Sequence, residues 1–180
     1  MRKMKMRFFT IADYEEEEAW LREQHRNGLR LVNFIVPCFF FFEPCEPEDM
    51  VYRLDFKNAC PDEGYRQMFS DYGWEYVGSC IGWLYFRKPA SQMEEVNDGE
   101  IFSDTKSKLD MIEHVIKTRM LPILVIFLCV LLPGCVRMLT SEGEPRVLMG
   151  VYGLLFFLYV YLLAHCGRKF KMLKEKYKTE

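Results

Sequence analysis

Hydrophobic and polar positions change their period repeatedly along the chain, and each change marks an element. The apolar run Met6 to Ile11 (MRFFTI) predicts a short strand that ends where the carboxylates begin. Asp13 stands as an N-cap with Glu16 three residues on, and Glu15 to Glu18 put negative charge into a first helical turn, where the helix dipole favours it. These four glutamates read as a solvated helix start, Trp20 and Leu21 as its buried stripe, and Gly28 as its C-cap. From Leu29 to Phe56 the segments RLVNFIV, CFFFFEP and MVYRLDF are β-rich. In the third, Tyr52, Leu54 and Phe56 alternate with Val51, Arg53 and Asp55, as in a half-buried strand. Phe39 to Phe42 do not alternate with polar residues, so their rings must pack on both sheet faces or stay exposed; core packing is preferred to an exposed partner or ligand surface. Pro61 and Asp62 open a second helix with Tyr65, Met68, Phe69 and Tyr72 at i, i+3, i+4 and i+7. Gly73 caps it, and WEYVG, a SCIG turn and WLYFRKP follow as a β-hairpin.

A shift of 45 residues brings Gly28 onto Gly73, Trp20 onto Tyr65, Val32 onto Val77, Phe9 onto Leu54 and Ile11 onto Phe56. Strand, helix, glycine and strand therefore recur in order. Two βαβ-like halves predict an α+β domain over 1–89, a ferredoxin-like antiparallel sheet with both helices on one face, extended by strands at 38 to 43 and 83 to 88. Residues 90–103 read as a linker and 104–119 as a juxtamembrane stalk helix with Leu109, Ile112, Val115 and Ile116 as its stripe. That stripe is a candidate for docking on the domain or for pairing with a second copy, so a homo-oligomer is a possible state. The pattern then turns apolar on all sides, first from Met120 to Val136 and again from Val147 to Cys166. At a rise of about 1.5 Å per residue both runs approach the ~30 Å hydrocarbon core of a bilayer. They predict a two-helix transmembrane hairpin, with spans at 120–139 and 147–166, a turn at 140–146 on the far side, and a basic tail at 167–180. Pro133 and Gly134 are expected to kink or shorten the first span.

Charge gives the hairpin a direction. Residues 1–119 carry a net −6 and residues 166–180 a net +4, while no Lys or Arg lies between Arg137 and Arg146. By the positive-inside rule both termini face the cytoplasm of a plasma membrane. The basic start MRK precedes too short an apolar patch for a signal peptide. The seven cysteines include no CxxC pair and read as free thiols in a reducing compartment. A zinc site from Cys38, Cys45, Cys60 and Cys80 lacks the knuckle spacing, so no metal is expected.

No phosphate-binding glycine loop, HExxH or GxSxG is present, and His25, His114 and His165 fall on three separate predicted helices. The chain therefore shows no catalytic constellation, no cofactor motif and no enzyme signature. Nucleic acid is disfavoured by the acidic domain. The candidate ligand or partner groove gathers Phe40, Phe42, Trp74, Trp83 and Tyr85, and the candidate lipid-headgroup contacts are Arg168, Lys169, Lys171 and Lys174 beside the second span.

The EEEEAWL helix with its following Gly28, the strand VYRLDF, the stretch YGWEYVGSCIGWLYFRK and the run IFSDTKSKLD together resemble domain of unknown function 2812, a family of bacterial membrane proteins mostly from Bacillota. The likeness covers roughly residues 7 to 115 and departs from the usual pattern at CFFFFEPC. It implies a cytoplasmic domain ahead of a few membrane helices, in a genomic setting beside PadR-type regulators, and carries no catalytic residues. The expected function is a membrane-anchored sensory or regulatory adaptor that binds an unknown protein or small molecule. The alternative is an accessory subunit of a membrane transport or export complex acting through its hairpin.

Overall fold

A computed structural model describes residues 2–35, 38–57, 63–93, 105–140 and 146–179. The chain divides into two compact units, Met1–Ser107 and Lys108–Glu180.

The first unit uses one plan twice. Strand β1 (Lys3–Met6), helix α1 (Tyr14–Arg26), β2 (Leu29–Ile35) and β3 (Phe39–Pro44) are followed by β4 (Met50–Phe56), α2 (Glu63–Asp71), β5 (Glu75–Cys80) and β6 (Trp83–Pro89). The α+β class, the antiparallel strands and the helices are as the pattern predicts. The sheet is divided in two, in the orders β1-β3-β2 and β4-β6-β5. The two strands expected to extend a single sheet instead form the centre of each three-stranded sheet. Burial explains their position: Trp83 to Lys88 are all buried and β3 is phenylalanine on both faces, and only a central strand can cover both faces of such a run. The first strand lies at Lys3–Met6, ahead of the apolar run expected to form it. Its lysines interleave with methionines, and that alternation outranks the apolar length of MRFFTI.

The repeat extends to single residues. Both second strands carry an irregularity at the same point, between Leu31 and Asn33 and between Tyr76 and Gly78, so Val32 and Val77 are equivalent bulge residues. Leu31 pairs with Phe42 as Tyr76 pairs with Phe86, and Lys3 pairs with Phe42 as Arg53 pairs with Phe86. Met4 therefore corresponds to Leu54, Met6 to Phe56, Phe39 to Trp83 and Phe41 to Tyr85. The expected matches of Phe9 with Leu54 and of Ile11 with Phe56 give way to the two methionines.

Gly28 and Gly73 end the two helices with φ of 74° and 80°, the left-handed cap expected of them. A Cβ at Gly28 would also stand 3.0 Å from the Cys45 carbonyl oxygen, whose own backbone N–H donates to the Gly28 carbonyl. Asp13 occupies the N-cap of α1, but its carboxylate turns back to accept from the Thr10 backbone N–H and hydroxyl at 2.8 and 2.5 Å, leaving no side-chain cap.

In the second unit, helix α3 (residues 105–140) and helix α4 (Arg146–Thr179) run antiparallel. Glu113 meets Lys174 at 3.2 Å, the Lys108 ammonium lies 4.9 Å from the Tyr177 ring centre, and the Phe127 ring packs tilted against Phe156. A Cβ at Gly134 would come within 2.6 Å of the Tyr152 ring, so glycine sets the close approach there. α3 contains two π turns, Ile116–Met120 and Phe127–Leu131, each ending shortly before a proline, Pro122 and Pro133. A proline ring clashes with the carbonyl four residues back, and the wider turn moves that carbonyl aside. The helix thus continues to Thr140, past the Pro133 and Gly134 expected to kink or shorten the span, with a π turn just before them. Lys106–Arg137 and Val147–Lys178 are long and apolar enough to cross a membrane, with mean hydropathies of 2.3 and 2.2 in their most apolar windows and only 6% and 0% of those windows buried. A soluble core helix would be mostly buried, so membrane association is the arrangement that satisfies these surfaces. The expected turn at 140–146 and the linker at 90–103 fall largely outside the described residues.

Candidate functional site

Within the first unit each sheet has a face covered by the helix of its own repeat. Trp20 of α1 packs edge-on against Phe40 and Phe42 at 5.0 and 5.7 Å, and Phe69 of α2 packs on Phe86 at 4.5 Å. Helix α1 serves a second surface as well. Its opposite side lies on the outer face of the second sheet: Tyr14 stacks on Trp83 at 5.5 Å, His25 Nδ1 lies 2.8 Å from the Tyr52 hydroxyl, and Leu21 is fully buried.

This seam carries most of the buried polar chemistry. The Tyr85 hydroxyl donates to Glu17 at 2.6 Å, while the Leu54 backbone N–H and Arg53 donate to Glu18 at 2.7 and 3.2 Å. The glutamate run is therefore only half solvated, since Glu17 and Glu18 are buried. Burial pushes the Glu17 carboxyl up to about 7, with the Tyr85 hydrogen bond opposing and Asp13 adding to the rise. Burial, reinforced by Arg87 and Arg30 and opposed by Glu75, holds His25 down at about 4. On the other face of the second sheet, burial raises the Asp55 carboxyl while the Tyr65 hydroxyl donates to it. The Glu17, Glu18 and Asp55 carboxyls and the His25 ring each have a hydrogen-bond partner. Among the described residues no group of three or more His, Cys, Asp or Glu is placed to hold a metal; Cys60 lies outside them.

The five residues expected to form one groove are separated by the sheets. Phe40 and Phe42 lie under Trp20 in the first sheet, while Trp83 and Tyr85 lie under α1 in the second. Trp74 joins Val51, Phe69, Leu84 and Phe86 under α2 and also lines a shallow hollow with Arg66, Glu75 and Tyr76. All five are buried.

The open apolar surface is elsewhere. Phe39 and Phe41 point away from Phe40 and Phe42, onto the outer face of the first sheet. Their register partners there are Met6 and Met4 on β1, and Ile35 and Asn33 on β2. Met4 is 59% exposed, Met6 71% and Ile35 54%. The equivalent residues of the second sheet, Leu54, Phe56, Trp83 and Tyr85, lie beneath α1 and are buried. At one end of the open face Glu43 pairs with Arg2 at 2.9 Å and Arg30 at 3.6 Å, two cations to one carboxylate. The alternation in MRKMKM was the available signal for this surface, hidden by the charge of its lysines.

Two βαββ repeats ahead of an apolar helical hairpin define an α+β protein built for membrane association. A family model described as "Protein of unknown function (DUF2812)" matches residues 13–126, more than half of the chain, and the protein belongs to that family. The match runs from the cap of α1 into the first apolar helix. No curated protein and no solved structure gives a match.

Proposed function

We propose that this protein is a membrane-anchored binding module, held on the cytoplasmic side, whose docking surface is the outer face of the first sheet and whose occupant is an amphipathic helix of a partner protein. The observation that carries the reading is the residue-by-residue match between this open face and the face of the second sheet on which α1 sits. Both present apolar side chains at the same register positions, and the occupant of the covered one is a helix. Exposed contiguous apolar surface of this kind marks interaction sites in soluble domains. The excess of Arg2 and Arg30 over Glu43 favours a helix with an acidic flank. The α2 helix of a second copy fits less well, because its exposed side sets Glu63, Arg66, Gln67 and Ser70 beside a single apolar residue, Met68. The cytoplasmic placement is supported by the six basic residues of the tail after α4 leaves its apolar stretch.

The test uses the full chain in lipid nanodiscs with labelled methionine methyl groups, titrated with a synthetic peptide of residues 13–27, the helix that already fits the equivalent face. Saturable shifts are expected at Met4 and Met6 and are expected to vanish in Met6→Asp, an edge-strand change that leaves the core intact. Absent shifts, or shifts spread equally to Met68 and other exposed methionines, would overturn the proposal. A photo-crosslinker at Ile35 in cells should attach to an apolar-striped helical segment of another polypeptide. Adducts to lipid alone, to a second copy or to nothing would contradict it.

A further inference from the structure

We infer that the second unit holds one acidic phospholipid in a groove where its two spanning helices leave their apolar stretches. This site is independent of the docking face. The groove, about 430 Å³, is walled by Ile116 and Met120 of α3 and by Gly167 and Phe170 of α4, with Lys171, Lys174 and Lys178 along its rim. Two local departures from regular helix packing build it. Ile116–Met120 is the π turn that precedes Pro122, so the α3 wall bulges there. Opposite stands Gly167, where an added Cβ would meet nothing within 4 Å.

The chemistry is divided along the groove. The apolar wall lies at the end nearest the membrane, beside Met120 and Gly167, where the predicted spans begin and end. The lysines follow at positions four, seven and eleven residues beyond Gly167, one face of a helix and about 16 Å long. Carboxylates are present: Lys174 meets Glu113 at 3.2 Å, Lys171 meets Glu175 at 3.9 Å, and Glu175 itself lines the groove. Lys117 also approaches Glu113, at 3.7 Å, so four lysines face two carboxylates and the site is positive. An acyl chain fits the apolar wall and a phosphate the cations, in the order that a phospholipid presents them at a bilayer boundary. Of the four expected headgroup residues, Lys171 and Lys174 line this groove, whereas the Arg168 Nε donates to the Ala164 carbonyl of its own helix at 3.1 Å.

The experiment is native mass spectrometry of the full chain released from vesicles of mixed phosphatidylglycerol and phosphatidylcholine. One phosphatidylglycerol per chain should be retained in preference to phosphatidylcholine. Gly167→Leu, which fills the groove and leaves every lysine in place, should lower retention at least about tenfold. Replacing Lys171, Lys174 and Lys178 together by Gln should lower it by about tenfold to a hundredfold. Equal retention of the two lipids, or a Gly167→Leu protein that retains phosphatidylglycerol like the wild type, would overturn the inference. Displacement by free glycerol phosphate at millimolar concentration would assign the cations to a soluble phosphate and refute the lipid.

Discussion

The first and second sheets share strand order, pairing register and the position of a bulge, yet one outer face is covered and the other is open. The difference lies in the helices. α1 works on two surfaces, with Trp20 turned to its own sheet and Tyr14, Glu17, Leu21 and His25 to the next one. α2 works on one: at the repeat spacing, Glu18, Leu21 and His25 correspond to Glu63, Arg66 and Ser70, all exposed. Duplication creates two equivalent outer faces but places only one helix between the sheets. The helix that serves twice must bury charged groups to do so, and the first sheet, with no helix on its outer face among the described residues, keeps an apolar face for something else.

The largest effects test that equivalence directly. Phe42 and Phe86 occupy the same position in the two repeats, both with 0% exposure. Truncating either to alanine should cost about 3–5 kcal/mol, because the ring's transfer energy and the cavity it leaves both count. Phe41 and Tyr85 are also equivalent, but only Tyr85 is covered. Tyr85→Ala should fall in the same range and strand the Glu17 carboxyl as well, while Phe41→Ala should cost about 1 kcal/mol or less. All three tryptophans, Trp20, Trp74 and Trp83, lie in the first unit, so fluorescence-detected urea unfolding of the full chain in detergent reports on this unit alone. Equal costs at Phe41 and Tyr85 would mean that the first face is covered after all.

That asymmetry was only partly legible in the sequence. The recurrence of helix, glycine and strand could be read because Gly28 and Gly73 answer a local backbone demand, and local demands are written in single residues. The FFFF run required its rings either to pack on both faces or to stay exposed, with core packing preferred; Phe40 and Phe42 pack under Trp20, while Phe39 and Phe41 turn to the outer face and are only half-buried. Hidden from the sequence was α1's second contact. Glu17 and Glu18 look like ordinary first-turn carboxylates, and nothing within their own helix reveals that Tyr85, 68 residues away, supplies a hydrogen bond. For the same reason Trp83 and Tyr85 read as part of a ligand or partner groove: aromatic residues at alternate strand positions read alike whether a helix or a ligand lies over them. The position of β3 and β6 at the centre of their sheets is likewise a long-range outcome, set by which strand can cover two faces.

The seam beneath α1 should next reveal itself through pH. Glu17 has its carboxyl raised from 4.5 to about 7 in the fold, so its contribution to stability is full below pH 4.5 and lost as pH rises through about 7. His25 is lowered from 6.5 to about 4, so its contribution is full above pH 6.5 and lost as pH falls through about 4. The two slopes have opposite signs over the same window and offset each other in the wild type. Glu17→Gln keeps an acceptor for Tyr85 and removes one slope. Relative to wild type it should gain up to about 3 kcal/mol between pH 4.5 and 7.5. His25→Gln should lose a similar amount, relative to wild type, between pH 4 and 6.5. Stability differences that stay constant with pH in both variants would show that α1 is not buried on the second sheet.

The smallest effect concerns the connection between β5 and β6, where the second repeat carries an unfavourable residue. β5 and β6 are joined by Ile81 and Gly82 with φ of 48° and 85°, the two-residue turn in which both positions are left-handed. Gly82 meets this demand, whereas a β-branched side chain at Ile81, 57% exposed, crowds its own backbone there. Asparagine tolerates the left-handed region and, followed by glycine, forms the preferred pair for such a turn. Ile81→Asn should therefore raise stability by about 1 kcal/mol, measured by the same unfolding transition. Because the turn lies in the second repeat, the gain should be undiminished when combined with Phe42→Ala in the first sheet. Additivity within about 0.5 kcal/mol is expected of independent sites, and a gain that shrinks with damage to the first sheet would show that the two halves are coupled more tightly than their shared helix implies.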